Sequence, residues 1–267
     1  MKPAVQNALA ALQRRTLRRD DETDPNGRLY WDDQGNKYFS VTRILGATAP
    51  DHQKQALERW LARPGSEQDR ETAATRGTLS HNHAEYILKT GAQLARKAAN
   101  KRGVWKTSKD GLERCPGSIT AWGIERSIQA APRVPWSAAG YARGLRSWIG
   151  KNVTAIHSVE FSIHHPAGFA GTCDALLDIQ GKGPFVVDWK TSQRERSEEM
   201  LTNYIDQLGA YSLGLMSLTG IRAAGALVVV ARRTGAPQIR ELSELELRGA
   251  EARFLERCDT YFSQCVS

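Results

Sequence analysis

Two aspartates and a lysine are the residues of this chain whose types and spacing could do chemistry. Asp188 and Lys190 close an apolar run, Phe185-Val186-Val187, and Asp174 lies upstream behind Gly171. On a strand, side chains alternate between faces, so Asp188 and Lys190 share a face with Val186 while Val187 and Trp189 point the other way. Carboxylate oxygens on rigid elements suit magnesium or manganese, and the Trp189 backbone carbonyl could add a further oxygen. An ammonium beside them can orient a hydroxide and offset charge developing on phosphorus. That chemistry is hydrolysis of a phosphodiester. A surface ion pair would read the same way in isolation, so the surrounding elements decide.

The two aspartates can hold one ion only from one face of a sheet. Cross-strand partners share a face, so their residue numbers must sum to an even value, 362 or 364, which requires an odd-length connection or a bulge at 179–183. A two-residue turn at 181–182 would set Asp174 opposite Trp189 and divide the carboxylates. Gly181 and Gly183 permit the longer form. Asp178 falls near the turn and reads as solvent-facing.

Upstream, Leu29–Trp31 and Lys37–Phe39 flank a polar turn and read as a hairpin. Asp51 can cap a helix carrying Ala56, Leu57, Trp60 and Leu61. A second helix is expected from Gln68 to Lys89, stopped by Gly91, with His81 and Glu85 on one stripe. Gly77 inside it costs about 1 kcal/mol against alanine, which suggests a close approach of another backbone. Residues 89–114 carry eight basic and two acidic side chains, 8 − 2 = +6. Here Lys97, Lys101, Arg102 and Lys106 could contact phosphates while Trp105 stacks on a base. Trp122, Trp136 and Trp148 read as core residues. Strand character over 156–163, 171–179 and 185–191 predicts an antiparallel meander. A helix from Ser197 sets Gln207 and Tyr211 one turn apart, 226–231 is a buried strand, and Ser243 with Glu246 forms a capping box for the last helix. The result is an α/β fold: one mixed sheet with helices on its faces. Four parts are expected: an N-terminal arm (1–27), a hairpin and helices (28–91), a basic, aromatic helical insertion (92–150) and the α/β core (151–267).

With 37 basic and 29 acidic residues, the net charge of +8 favours a polyanionic partner. The four cysteines show no zinc-ligand spacing and read as reduced thiols. No apolar stretch approaches a membrane span of roughly 20 residues, and no secretory signal opens the chain. A cytoplasmic setting, in a bacterium or a phage-infected cell, is expected, with a mitochondrial one as the alternative.

Four motifs in order resemble the PD-(D/E)XK nuclease superfamily in its RecB-like branch. They are Arg76-Gly77-Thr78-Leu79-Ser80-His81, Ala170-Gly171-Thr172-Cys173-Asp174, Val187-Asp188-Trp189-Lys190-Thr191-Ser192 and Gln207-Leu208-Gly209-Ala210-Tyr211. Ser40-Val41-Thr42-Arg43-Ile44-Leu45 and Leu57-Glu58-Arg59-Trp60 are similar to segments of mitochondrial genome maintenance exonucleases and related phage exonucleases. The resemblance implies a restriction-endonuclease-like fold in which His81, Asp174 and Asp188 bind metal and Lys190 helps activate water. Gln207 and Tyr211 would position Lys190 or the nucleic-acid backbone, with Thr191, Glu85 and Glu160 in support. Cys173 departs from the proline of the family name, and Asp188 from the commoner glutamate. With two cysteines near the C-terminus, the iron–sulfur cluster of some relatives is not expected. The expected activity is a magnesium- or manganese-dependent DNA exonuclease favouring single-stranded ends. The alternatives are a flap- or structure-specific endonuclease of the same fold and a catalytically silent nucleic-acid-binding component of a repair complex.

Overall fold

A computed structural model describes residues 9, 12, 17–21, 27–101, 107–108, 111–112 and 117–266. Strands β1 (Arg18–Asp20), β2 (Leu29–Trp31) and β3 (Lys37–Ser40) form an antiparallel ribbon that contains the expected hairpin. Within the expected N-terminal arm, Leu9 and Leu12 are buried in the main core and Arg18–Asp20 pair with β2, so these residues belong to the fold. Ser40 ends β3 and caps α1 (Val41–Ala47), its hydroxyl accepting the Arg43 N–H at 3.1 Å. Helix α2 (Asp51–Leu61) follows Pro50 and buries none of its residues; Leu57 and Leu61 stay exposed.

Helix α3 (Ser66–Lys101) is continuous for 36 residues and passes straight through Gly91, where the sequence predicts a stop. Gly91 serves packing instead. A Cβ there would stand 3.2 Å from the Ile124 Cα on α4 (Gly117–Ala130), and one on Gly123 would stand 2.4 Å from the Gly91 carbonyl oxygen. Two glycines thus let two helix backbones cross closely. The short strands β4 (Thr107–Ser108) and β5 (Gly111–Leu112) pair with each other between these helices. Helix α5 (Trp136–Asn152) lies on the sheet, burying Tyr141, Leu145, Trp148 and Ile149 with Val187 and Trp189. The C-terminal part of the expected insertion therefore shares a core with the Asp188 strand. Of the three tryptophans expected inside, Trp148 is buried, edge-on to Trp189 with ring centroids 5.6 Å apart; Trp122 and Trp136 are exposed.

The meander appears as β6 (Val153–His165), β7 (Phe169–Ile179) and β8 (Pro184–Ser192), followed by α6 (Glu198–Thr219) with Ser197 as its cap. Strand β9 (Gly225–Arg232) returns parallel to β8, and β10 (Gln238–Ser243) pairs antiparallel with β9. The capping box opens α7 (Glu244–Val266): the Ser243 N–H donates to Glu246 Oε2 at 2.8 Å and the Glu246 N–H to Ser243 Oγ at 3.3 Å. One mixed sheet of eight strands results, in the order β1-β2-β3-β7-β8-β9-β10 with β6 also on β7. Val186, Val228 and Val230 bury against α1, α6 and α7 on one face; Val187, Leu227 and Val229 bury against α3, α4 and α5 on the other.

This topology opens a split in the sheet. Strand β6 runs along one edge of β7, so β3 and β8 must share the other edge. There β3 pairs with Phe169 and Ala170, while β8 pairs with Ala175 to Asp178. Residues 171–174 lie between these ladders, and Asp174 sits at the fork.

Candidate active site

The β7–β8 ladder pairs Ala175 with Val187, Leu176 with Val186, Leu177 with Phe185 and Asp178 with Pro184, so every pair sums to 362. One step further, Asp174 comes level with Asp188. The five-residue connection supplies the odd length, with Gln180, Gly181 and Gly183 at φ of 50°, 77° and 112°. Asp178 does not face solvent. It is 1% exposed, and its Oδ1 accepts the Gly183 N–H at 3.1 Å and the Thr154 hydroxyl at 3.4 Å. The turn folds back onto this carboxylate, which holds it.

Asp174 meets two of the expected residues. His81 Nδ1 on α3 lies 3.5 Å from its Oδ1, and the Trp189 N–H donates to its Oδ2 at 2.6 Å. Burial would raise the Asp174 carboxyl, but His81, Lys190 and the Trp189 N–H outweigh it and hold it below its ordinary 3.8. Trp189 thus touches Asp174 through its N–H, while its indole lies in the core. Burial works against a charged His81, yet the Asp174 carboxylate raises its pKa on balance.

Asp188 is 2% exposed, and burial pushes its carboxyl up to about 6; Lys190 opposes the rise and Asp174 adds to it. Its Oδ2 lies 2.5 Å from Lys190 Nζ as an ion pair, and among the described residues this ammonium is the buried oxygen's one partner. Burial disfavours the Lys190 ammonium, but the two aspartates overcome that and raise its pKa, so it stays charged. The Tyr204 ring covers it at 5.0 Å.

Glu160 joins this group more closely than the sequence implied. Its neighbours Val159 and Phe161 pair with Ala175 and Cys173, which sets Glu160 opposite Asp174, yet Glu160 itself does not pair. Its φ is 50°, a conformation that costs a non-glycine residue about 1–3 kcal/mol and collects at functional sites. Strand alternation is broken here: Cys173 and Leu176, three positions apart, bury on the same side of the sheet. Burial, then the charges of Asp174 and Glu85, push the Glu160 carboxyl up to about 8. Donor atoms of His81, Glu160 and Asp174 all lie within 4.8 Å of one another. Register shifts in β6, at Val153/Ala155 and Ile156/Ser158, put this juxtaposition beyond simple counting along the sequence.

The remaining expected residues separate. Glu85 pairs with Lys89 at 2.6 Å, one turn along α3, and stands outside the donor cluster. Thr191 Oγ1 would lie 3.7 Å from a Cβ on Gly77, so the neighbour of Gly77 is a side chain at ordinary distance and not the close backbone expected. Gln207 Nε2 donates to the Tyr211 hydroxyl at 2.6 Å, both buried, and burial drives the phenol pKa well above 10. A Cβ at Gly171 would stand 2.9 Å from the Tyr211 ring, which explains the glycine three residues before Asp174. Lys97 is exposed on α3 and Lys101 ends that helix, while Arg102, Trp105 and Lys106 lie outside the described residues. Arg76, which opens the His81 motif, stacks its guanidinium over Tyr141 at 4.8 Å, and its buried Nε lacks a hydrogen bond.

The family model of the PD-(D/E)XK nuclease superfamily matches residues 39–264, well over half of the chain. The chain belongs to that superfamily. No curated protein matches it. A solved Eubacterium rectale protein, named provisionally as an exonuclease, is similar at 14% identity and a TM-score of 0.34, covering 71% of this chain and 68% of its own. PD-(D/E)XK nucleases act on nucleic acid and generally use divalent metals, and the donors here fit one. They are mostly carboxylate oxygens with one imidazole, next to a buried Asp188 carboxylate whose Oδ2 has Lys190 Nζ as its one partner. Among the described residues, no helix of this PD-(D/E)XK nuclease is long and apolar enough to cross a membrane.

Proposed function

We propose that this PD-(D/E)XK nuclease is a magnesium- or manganese-dependent exonuclease that hydrolyses DNA from single-stranded ends. The observation that carries the hydrolytic reading is the donor cluster of His81, Glu160 and Asp174 beside the Asp188–Lys190 pair. The exonuclease reading rests on the resemblance of Ser40–Leu45 and Leu57–Trp60 to exonuclease segments. Asp174 and Asp188 would hold the ion with His81, and Glu160 completes the set. When bound, a divalent ion supplies Lewis-acid polarisation of the phosphoryl oxygen and acidifies a water. Lys190 remains an ammonium, so its part is to offset charge on the phosphoryl oxygens and orient the water, not to remove a proton. Tyr204 and the Asp188 carboxylate fix its direction. The buried Gln207–Tyr211 pair, wedged on Gly171, supports the strand that carries Asp174.

The test uses end-labelled linear and covalently closed circular single-stranded DNA with manganese. An exonuclease degrades the linear DNA and spares the circle. Lys190→Ala and Asp188→Asn should abolish degradation while oligonucleotide binding persists. Cleavage of the circle would establish an endonuclease, and undiminished cleavage by either variant would remove these residues from the chemistry.

A further inference from the structure

We infer that the face formed by α5 and the β9–β10 turn binds the nucleic-acid strand, with its phosphates on arginines and an unpaired base on Trp136. The inference rests on the nuclease reading above and names a track for its substrate. No Asp or Glu occurs from 131 to 159, nor from 207 to 240. Those two stretches meet in space: Gly140 packs so tightly on the Arg233 carbonyl that a Cβ there would overlap it. Arg133, Arg143, Lys151 and Arg233 are exposed, and among the described residues none of them makes an ion pair with a carboxylate. Arg143, Lys151 and Arg233 line one cleft of 430 Å³, and Arg143 also lines a second, of 280 Å³, with Arg133 and Arg146. A surface of unpaired cations without interspersed acids has a polyanion as its natural complement.

Trp136 makes that polyanion an unpaired strand. Its ring is 83% exposed, which no core role explains, and the Arg233 guanidinium stacks on it at 5.2 Å. An exposed indole with a guanidinium beside it is a platform for a base, whose flat face is open in single strands and hidden in duplexes. Helix α5 shares its face of the sheet with α3, the helix that carries His81. Arg232, next to Arg233, pairs with Ser192 at the end of the Asp188–Lys190 strand, and Arg76 bridges α3 to Tyr141 of α5. Trp136, expected in the core, is the described tryptophan that fits the platform role.

The experiment measures anisotropy of a labelled oligothymidylate on the full chain in EDTA, where no cleavage intervenes. Trp136→Ala should weaken binding about tenfold and Trp136→Phe much less, in line with roughly 1–3 kcal/mol per stacked base. An abasic oligonucleotide of equal length should bind both proteins alike. Arg143→Ala combined with Arg233→Ala should reduce the slope of log affinity against log salt by about 1.4, two phosphates at about 0.7 each. These side chains are exposed, so a matching thermal midpoint certifies the fold. Unchanged affinity and slope in both variants, with the wild type binding DNA, overturns the track but leaves the nuclease standing. Equal loss on abasic DNA overturns the stacking. A wild type that binds no oligonucleotide overturns the function and the track together.

Discussion

Replacing Glu160 by Gln should change how many protons leave the site when a metal enters. With its carboxyl raised to about 8, roughly nine in ten Glu160 side chains carry a proton at pH 7. A carboxylate ligand must be ionised, so binding at pH 7 should release about 0.9 proton from this residue. Asp188, raised to about 6, adds about 0.1. His81 contributes in wild type and variant alike, so the difference between the two proteins isolates Glu160. Manganese titration by calorimetry in three buffers of different ionisation enthalpy gives the proton count as a slope. A difference near 0.9 is expected; a difference below about 0.3 would refute a ligand role for Glu160 in the protonation state that its burial imposes. The metal-free protein supplies a second reading with a definite sign. A raised carboxyl contributes stability that is fully present below its ordinary 4.5 and is lost as pH rises through about 8. The thermal midpoint of the wild type should therefore fall across that window more steeply than that of Glu160→Gln.

A carboxylate that holds the ion must be ionised, so the manganese affinity of the metal-free protein should fall as pH drops through about 8, where Glu160 takes up its proton, and more steeply through about 6, where Asp188 does; a fall confined to about pH 4 and below would contradict the burial of both. Gly123→Ala inserts a Cβ 2.4 Å from the Gly91 carbonyl and should cost about 1–3 kcal/mol in chemical denaturation, where an exposed Gly46→Ala should not. Gly171→Ala should push the Tyr211 ring from its seat at a similar cost, and Tyr211→Leu should relieve part of it. Additive losses in that double variant would show that the two residues do not compete for the same space.

The Asp188–Lys190 pair was legible because a strand's alternation is local: the two side chains share a face wherever the strand is placed, and the 362 register brings Asp174 level with Asp188. The helices from Ser197 and Ser243 were legible from their caps. Gly91 was misread because a lone glycine signals a helix end and a helix crossing equally well; only Gly123, far along the chain, distinguishes them. Glu160 was hard to place because bulges in β6 shift the count between strands, and its φ of 50° is imposed by the assembled sheet. Trp136 looked like a core residue by type, but the side of α5 that it occupies is set by Gly140 docking on Arg233. Asp178 looked solvent-facing because its partners, Gly183 and Thr154, come together only when the turn closes.

That closed turn makes the nuclease site sensitive to arithmetic at a distance. Inserting or deleting one residue between Ile179 and Pro184 would rotate β8 by half a pleat, presenting Val187 or Trp189 to Asp174 in place of Asp188, without altering a single catalytic residue. A change of two residues would restore the parity. Loop length there should therefore vary in even steps among active descendants of this chain, and single-residue indels should cost stability as well as chemistry, because they exchange the two faces of β8 and turn Asp188 and Lys190 into the core beneath α5.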